Sequence, residues 1–245
     1  MGNNKLERRL LRSLSRASRT FELIAPGDRI MVAVSGGKDS WALLELLTAH
    51  KLRVPFDFSI CALTLDQGQP GFDAEKLKAY SEARGHEHYI VFRDTYAVVL
   101  DQTPEGKSYC SLCSRMRRGI LYAQASRLGA NKIALGHHRD DLIETLLLNQ
   151  FHAGRIRGMA INLRDSDSGI DVIRPLAYCA ESDLADYAEA RGVPIAPCNL
   201  CGSQSGLQRQ SIKSLLTTFE AANPRLRGNL LAALGQIDAS HCMDQ

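Results

Sequence analysis

The chain of 245 residues is 44% hydrophobic and carries a formal net charge of +3, ordinary values for a globular protein with a substantial core. No apolar run approaches the roughly 20 residues needed to span a bilayer. The first twenty residues also lack a signal peptide's apolar centre. A membrane or exported protein is therefore not expected, and the cytoplasm is the expected location.

The charge is unevenly placed. Lys5, Arg8, Arg9, Arg12, Arg16 and Arg19 face one acid, Glu7, in the first twenty residues, which leaves the remainder slightly acidic. Such a segment either follows nucleic-acid phosphates or forms a solvated helix face. Leu6, Leu10, Leu14, Ala17 and Phe21 recur near helical spacing, which predicts an amphipathic helix over 4–23 packed on the domain with its basic residues outward. Pro26-Gly27-Asp28 turns the chain into a strand at 30–34, and a helix follows over about 40–50. A second strand lies within 56–66, a helix over 73–84 ends at Gly85, and a third strand covers 88–92. Pro104-Glu105-Gly106 marks a loop delivering residues 109–113. A helix at 114–128 closes at Gly129, and a fourth strand covers 132–135. Another helix runs to Phe151, and 154–169 reads as a polar, basic loop and a candidate flap. Val172 and Ile173 give a short fifth strand. A helix at 182–191 stops at Gly192 and Pro194, and from Leu207 two helices break near Asn223-Pro224. The alternation calls for an α/β fold, a mostly parallel five-stranded sheet with helices on both faces. The expected organisation is a basic helix at 1–25, a main domain at 26–204 and a helical tail at 205–245.

The stretch around which the chain is organised is Arg-Ile-Met-Val-Ala-Val-Ser-Gly-Gly-Lys-Asp-Ser, residues 29–40. A buried strand ends at Ser35, Gly36 and Gly37 turn the chain, and a helix begins. Glycines let backbone N–H groups converge on an anion. The helix N-terminus adds about half a positive charge. Lys38 adds a full one, Ser35 and Ser40 add hydroxyls, and Asp39 offers oxygen to magnesium. This is a phosphate cradle without the Walker A spacing. Ligands of open parallel sheets sit beyond the carboxyl ends of strands, which makes Thr64 and Asp66 candidates beside a nucleotide; Asp66 alternatively caps its turn. After the fourth strand come Gly136, His137, His138, Asp140 and Asp141. Asp140 and Asp141 either cap the next helix or bind magnesium, with Gly136 and His137 near the nucleotide.

Seven cysteines include two tight pairs, Cys110-x-x-Cys113 and Cys198-x-x-Cys201. In a reducing compartment such pairs more often mean metal or redox chemistry than structural disulfides. The spacing alone leaves zinc, an iron–sulfur cluster and thioredoxin-like chemistry open. Cys61 reads as a core residue. Arg115, Arg117 and Arg118 follow the first pair and either bind phosphates of ATP or RNA or form a solvated face.

The loop resembles the S-G-G-x-D-S signature of the PP-loop ATP pyrophosphatases, which split ATP into AMP and pyrophosphate. Four further motifs follow it in order: C-S-L-C-S-R-M-R-R-G-I-L-Y at 110–122, I-A-L-G-H-H-R-D-D at 133–141, I-R-P-L-A-Y at 173–178 and P-C-N-L-C-G-S-Q at 197–204. Together they resemble the tRNA 2-thiocytidine synthetase family, also called tRNA-cytidine 2-sulfurtransferase, across about residues 5–215. The resemblance implies an adenine-nucleotide α-hydrolase-like PP-loop fold. It also implies ATP, magnesium and an oxygen-sensitive 4Fe-4S cluster, used to replace O2 of an anticodon-loop cytidine by sulfur. The route implied is an adenylated base and cluster-bound sulfide. Carried over by position, Cys110, Cys113 and Cys198 are the cluster ligands, with Cys201 an extra candidate. Ser35, Gly36, Gly37, Lys38, Asp39, Ser40, Thr64, Gly136 and His137 are assigned to ATP, and Lys38, Asp39 and Asp141 to catalysis. Arg8, Arg9, Arg12, Arg117, Arg155, Arg157 and Arg164 are candidates for RNA. The partners implied are tRNA, ATP and a cysteine-desulfurase-type sulfur donor, with no membrane; a homodimer stays open. Met159-Ala-Ile-Asn162 departs from the family's tendency to a proline pair, and the tail after Leu216 carries little of its pattern. Competing readings are a zinc-containing PP-loop ligase acting on tRNA or a nucleotide, and a non-catalytic zinc-dependent RNA-binding module.

Overall fold

The structure, a computed structural model, describes residues 2–104, 109–196 and 204–236. Within these, the strands β1 (Arg29–Ala33), β2 (Ser59–Asp66), β3 (His88–Phe92), β4 (Lys132–Ala134), β5 (Asn162–Leu163) and β6 (Asp171–Ile173) form one sheet in the order β3-β2-β1-β4-β6-β5. Every pairing is parallel except β5 with β6. The helices are α1 (Gly2–Thr20), α2 (Lys38–Lys51), α3 (Ala74–Glu82), α4 (Thr95–Gln102), α5 (Cys110–Arg127), α6 (Arg139–Ala153), α7 (Glu181–Arg191), α8 (Gln204–Ala222) and α9 (Leu226–Ala233).

Side chains alternate across a strand, and β1 shows what that does here. Ile30, Val32 and Val34 join one core cluster with α1, α2 and α7, whereas Met31 joins the other with Cys61, Leu63 and Leu121 of α5. Both faces are apolar because helices cover both. Trp41, fully buried in α2, donates its indole N–H to Pro194 O at 2.9 Å, fixing the chain beyond α7 against the first helix of the sheet. Helix α1 belongs to the same core: Leu10, Leu11, Leu14 and Ala17 are no more than 1% exposed, and Arg8, Arg9, Arg12, Arg16 and Arg19 are exposed. Lys132 and Asp28 form a buried ion pair at 2.8 Å. Lys132 also donates to Leu23 O and Asn131 to Asp28 Oδ1, so both charges have the additional bonds a buried pair requires.

Three expectations need correction. The sheet has a sixth strand, β5, inside the segment read as a loop; two residues carry no detectable alternation. Helix α4 escapes notice because Thr95, Val98 and Val99 are β-branched and resemble a strand. Its start signal is Asp94, whose carboxylate accepts from Ala97 N. Helix α5 begins at Cys110 rather than at 114. The first cysteine pair therefore occupies the first turn of a helix, not a loop. Chain order reverses beside β1, with β2 on one side and β4 on the other, which makes that edge the topological switch point.

The packing of α1 leads to a stability test. Leu14→Ala should cost about 2–5 kcal/mol, read from urea unfolding with an unchanged denaturant slope. A cost near zero would show that α1 is an appendage rather than part of the core.

Candidate functional site

A cavity of about 370 Å³ opens at the switch point, between the carboxyl ends of β1, β2 and β4. Its floor is the loop Ser35–Gly37, which bends because Gly36 takes φ 81°. Ser40, 4% exposed, holds the loop in shape: its hydroxyl donates to Gly37 O at 2.8 Å and accepts from Ser35 N at 3.2 Å. Gly37 caps α2 without a side-chain hydrogen bond, so the helix's first N–H groups stay available to an anion. Gly136 closes against the same turn. A Cβ there would lie 3.0 Å from Ser40 N and from Asp39 C, which only glycine tolerates without a shift.

Lys38 Nζ stands between two carboxylates, 3.0 Å from Asp39 Oδ2 and 3.3 Å from Glu181 Oε1. Burial works against its charge, but Asp39 and Glu181 more than offset that and raise its pKa. Glu181 accepts equally from Lys213 of α8, at 2.9 Å to each oxygen. The phosphate-loop lysine is thereby tied to the carboxyl-terminal helices. Deeper in the same cluster, Glu144 is 1% exposed, with Arg209 Nε at 3.4 Å and Lys213 Nζ at 3.7 Å. Burial dominates these cations and pushes its pKa up to about 7.

The segment after β4 divides its labour. His138 is the N-cap of α6: Nδ1 accepts from Asp141 N, and Asp141 accepts in return from His138 N at 3.1 Å. The other ring nitrogen, Nε2, lies 3.3 Å from Asp141 Oδ2. Asp140 is a structural hub, accepting from Glu181 N at 2.8 Å and from Arg227 of α9 at 2.6 Å. Burial would raise its pKa, and these bonds together with Arg139 bring it below the usual carboxylate value. His137 lines the cavity and accepts at Nδ1 from Arg174 Nε at 3.2 Å. Burial, then Arg174, lowers its pKa to about 4, so it faces the cavity neutral at pH 7.

Ser35, Gly37, Asp39, Ser40, Gly136, His137 and Asp141 thus share one cavity wall. Thr64 does not. Its hydroxyl donates to Val34 O and meets His88 Nε2 at 2.9 Å inside the core, fully buried. Strand alternation gives the wall to its neighbours, Leu63 and Leu65. Asp66 serves its turn, accepting from Gly68 N at 2.9 Å. Sequence reasoning missed Gln67, Gln69 and Phe72 on the wall and Glu181 behind Lys38; Gln67 at the end of β2 carried the same positional signal as Thr64. Arg117 lines the cavity and donates to Gln67 Oε1 at 3.3 Å, while Arg155 and Arg157 are exposed beyond α6. Cys113 lies beside Gln67, and Cys110 stands one helical turn before it. Cys198 and Cys201 lie outside the described residues. The chain leading toward them is held at Ala196, whose N–H donates to Gly36 O at 3.0 Å.

Glycine loop, switch-point cavity and parallel sheet define a PP-loop protein, and the PP-loop domain family matches residues 3–197. The fold is similar to that of U34-tRNA thiolase NcsA from Methanococcus maripaludis with its 4Fe-4S cluster, at a TM-score of 0.73 and 21% identity over 93% of this chain and 79% of that one. It also resembles NMN synthetase from Francisella tularensis, at a TM-score of 0.52 and 16% identity over 97% and 98%. The sequence is 51% identical over 242 residues to the tRNA-cytidine(32) 2-sulfurtransferase of Anaeromyxobacter sp. (strain Fw109-5), covering 99% of this chain and 80% of the relative. The same identity and coverage hold for the enzyme of that name from Tolumonas auensis. The chain belongs to the tRNA-cytidine 2-sulfurtransferase family.

Glu144 gives the charge cluster a pH signature. Its folded pKa of about 7 lies above the ordinary 4.5. The unfolded chain therefore releases this proton first, and stability is lost as pH rises from 4.5 through 7. The difference in melting temperature between wild type and Glu144→Gln should move in the variant's favour across that window and stay level above it. A difference that does not vary with pH would show that the carboxyl ionises normally.

Proposed function

We propose that the protein thiolates C2 of a cytidine in a tRNA anticodon loop, using ATP and a 4Fe-4S centre held by Cys110, Cys113 and Cys198. The observation that carries this reading is convergence on one cavity. The first turn of α5, with Cys113, borders its wall through Gln67, and the segment two residues short of Cys198 is bonded to the phosphate loop through Ala196 and Gly36. Family membership supports the same chemistry.

The donor set suits a thiolate-held group. Cys110 and Cys113 fall in the first turn of α5 at a three-residue spacing, which puts two residues on one face of a helix. Cys113 is half-buried beside a carboxamide, with Arg117 close by. Cys110, Cys113 and Cys198 would hold the cluster, which when bound would supply a site for the sulfur that takes the place of O2. Cys201 is the candidate fourth thiol.

The protein's own part is to bind, orient and neutralise. Phosphates of ATP seat on the N–H groups of Gly36, Gly37 and Lys38, with the Ser35 hydroxyl beside them. Lys38 turns from its carboxylates to the phosphates and spreads the charge that develops as pyrophosphate leaves. Asp39 and Asp141 are assigned to magnesium, which takes one or two carboxylates plus phosphate oxygens and water. Attack of cytidine O2 on the α-phosphate makes AMP a leaving group on C2. Neutral His137 and the Gly136 N–H position the nucleotide. A stacked base must first be splayed out. Exposed Arg8, Arg12, Arg155 and Arg157 are assigned to the tRNA backbone, with Arg9 shared with Asp183 and Arg117 at the inner end of that path. Sulfur is supplied by a cysteine-desulfurase-type donor.

Protein purified without oxygen should be brown, with iron and acid-labile sulfide; a colourless protein with stoichiometric zinc would favour the ligase reading. Lys38→Ala should lower kcat at least about 10²-fold with iron content unchanged. Cys110→Ala should lose cluster and thiolation while still binding ATP. Thiolation retained in Cys110→Ala would refute the cysteine assignment.

A further inference from the structure

Gln67 touches both halves of the site. It follows β2, is 5% exposed, and lines the nucleotide cavity. Its backbone is pinned by Tyr96, whose N–H donates to Gln67 O at 3.0 Å. Its carboxamide lies between two residues of α5: Arg117 Nε at 3.3 Å from Oε1, and Cys113 Sγ at 3.8 Å from Oε1 and 4.0 Å from Nε2.

A guanidinium has donors and no acceptor, so Arg117 can meet only the oxygen of the amide. With Arg117 on Oε1, the sulfur touches both ends of the amide, Oε1 at 3.8 Å and Nε2 at 4.0 Å, and only Nε2 can donate to it. A thiol could instead give its hydrogen to Oε1. A thiolate, having none to give, accepts from Nε2. The amide thus offers Cys113 an acceptor and a donor, and a metal-bound sulfur would use the donor. Because the same amide fixes Arg117 on the cavity wall, its position is shared between the sulfur side and the nucleotide side.

We infer that Gln67 is a positioning residue for thiolation, donating an N–H to the Cys113 thiolate while holding Arg117 against the nucleotide cavity. The inference rests on the reading that Cys113 ligates the cluster. Groups around a metal centre orient its ligands, and hydrogen bonds to cluster sulfurs raise reduction potentials by stabilising the more electron-rich state.

Two variants separate the amide's roles. Gln67→Met keeps much of the volume and removes both polar ends; Gln67→Glu keeps the Arg117 partner and removes the N–H donor. Each is prepared without oxygen, checked for folding by circular dichroism, assayed for iron and sulfide, and titrated electrochemically with the cluster followed by electron paramagnetic resonance. Both should show a more negative cluster potential than wild type. The KM for ATP should rise several-fold in Gln67→Met and stay near wild type in Gln67→Glu. Loss of iron from either folded variant would also support the role, since the donor then holds Cys113 in place. A full iron complement with wild-type potential in Gln67→Met would overturn it; if that variant does not fold, the same result in Gln67→Glu does so. Wild-type protein without iron or sulfide would overturn the cluster reading itself, whatever the variants do.

Discussion

The contact of Gly36 with Ala196 is the constraint on which the site depends. Gly36 has a left-handed backbone, and a Cβ built on it would lie 2.6 Å from Ala196 Cβ. The absence of that atom lets the chain beyond α7 lie on the phosphate loop and donate the Ala196 N–H to Gly36 O. Gly36 thus serves two demands at once: its positive φ turns the chain between β1 and α2, and its missing Cβ seats the segment that ends at Ala196. Trp41 secures the same segment two residues earlier by bonding Pro194 O, so the approach is fixed at two points.

Around this seat, charge does what apolar packing does elsewhere. Asp140 joins the starts of α6 and α7 to α9, and Glu181 joins Lys38 to α8. Each carboxylate is partly or wholly withdrawn from water and has cations or backbone N–H groups around it, the condition under which buried charge is tolerated. Glu144 is the exception. Among the described residues neither of its oxygens accepts a hydrogen bond, and it meets its cations only at longer range. Its raised pKa records that imbalance. Helices α8 and α9 therefore dock partly through ionic contacts that end at the phosphate-loop lysine. Lys38 of the glycine loop and Lys213 of α8 share one carboxylate, Glu181.

Much of this was legible in the chain itself. The glycine loop could be recognised because strand, φ-permissive turn and helix start each leave a separate mark, and the marks fall in succession. Long apolar strands and glycine-capped helices were equally clear. What escaped was short or three-dimensional. Two-residue β5 has no periodicity to detect, and α4 is built from residues that favour strands. The orientation of Thr64 depends on which strand register reaches the cavity, a fact of the assembled sheet. Asp140 and Asp141 are adjacent and chemically alike, yet only the fold shows that one is consumed by three helices and the other remains on the cavity wall. Gln67 could have been suspected from its place at a strand end, but its partners on α5 come from residues some fifty positions away.

The proposed thiolation needs a thiolate-held cluster beside the nucleotide of the glycine loop. Its most direct measurement is the electron paramagnetic resonance of the reduced, anaerobically prepared protein with a manganese complex of a non-hydrolysable ATP analogue. The account predicts that saturating manganese nucleotide broadens the cluster signal and speeds its relaxation through the short distance between the two spins. A cluster signal left unchanged by the bound manganese nucleotide would contradict it.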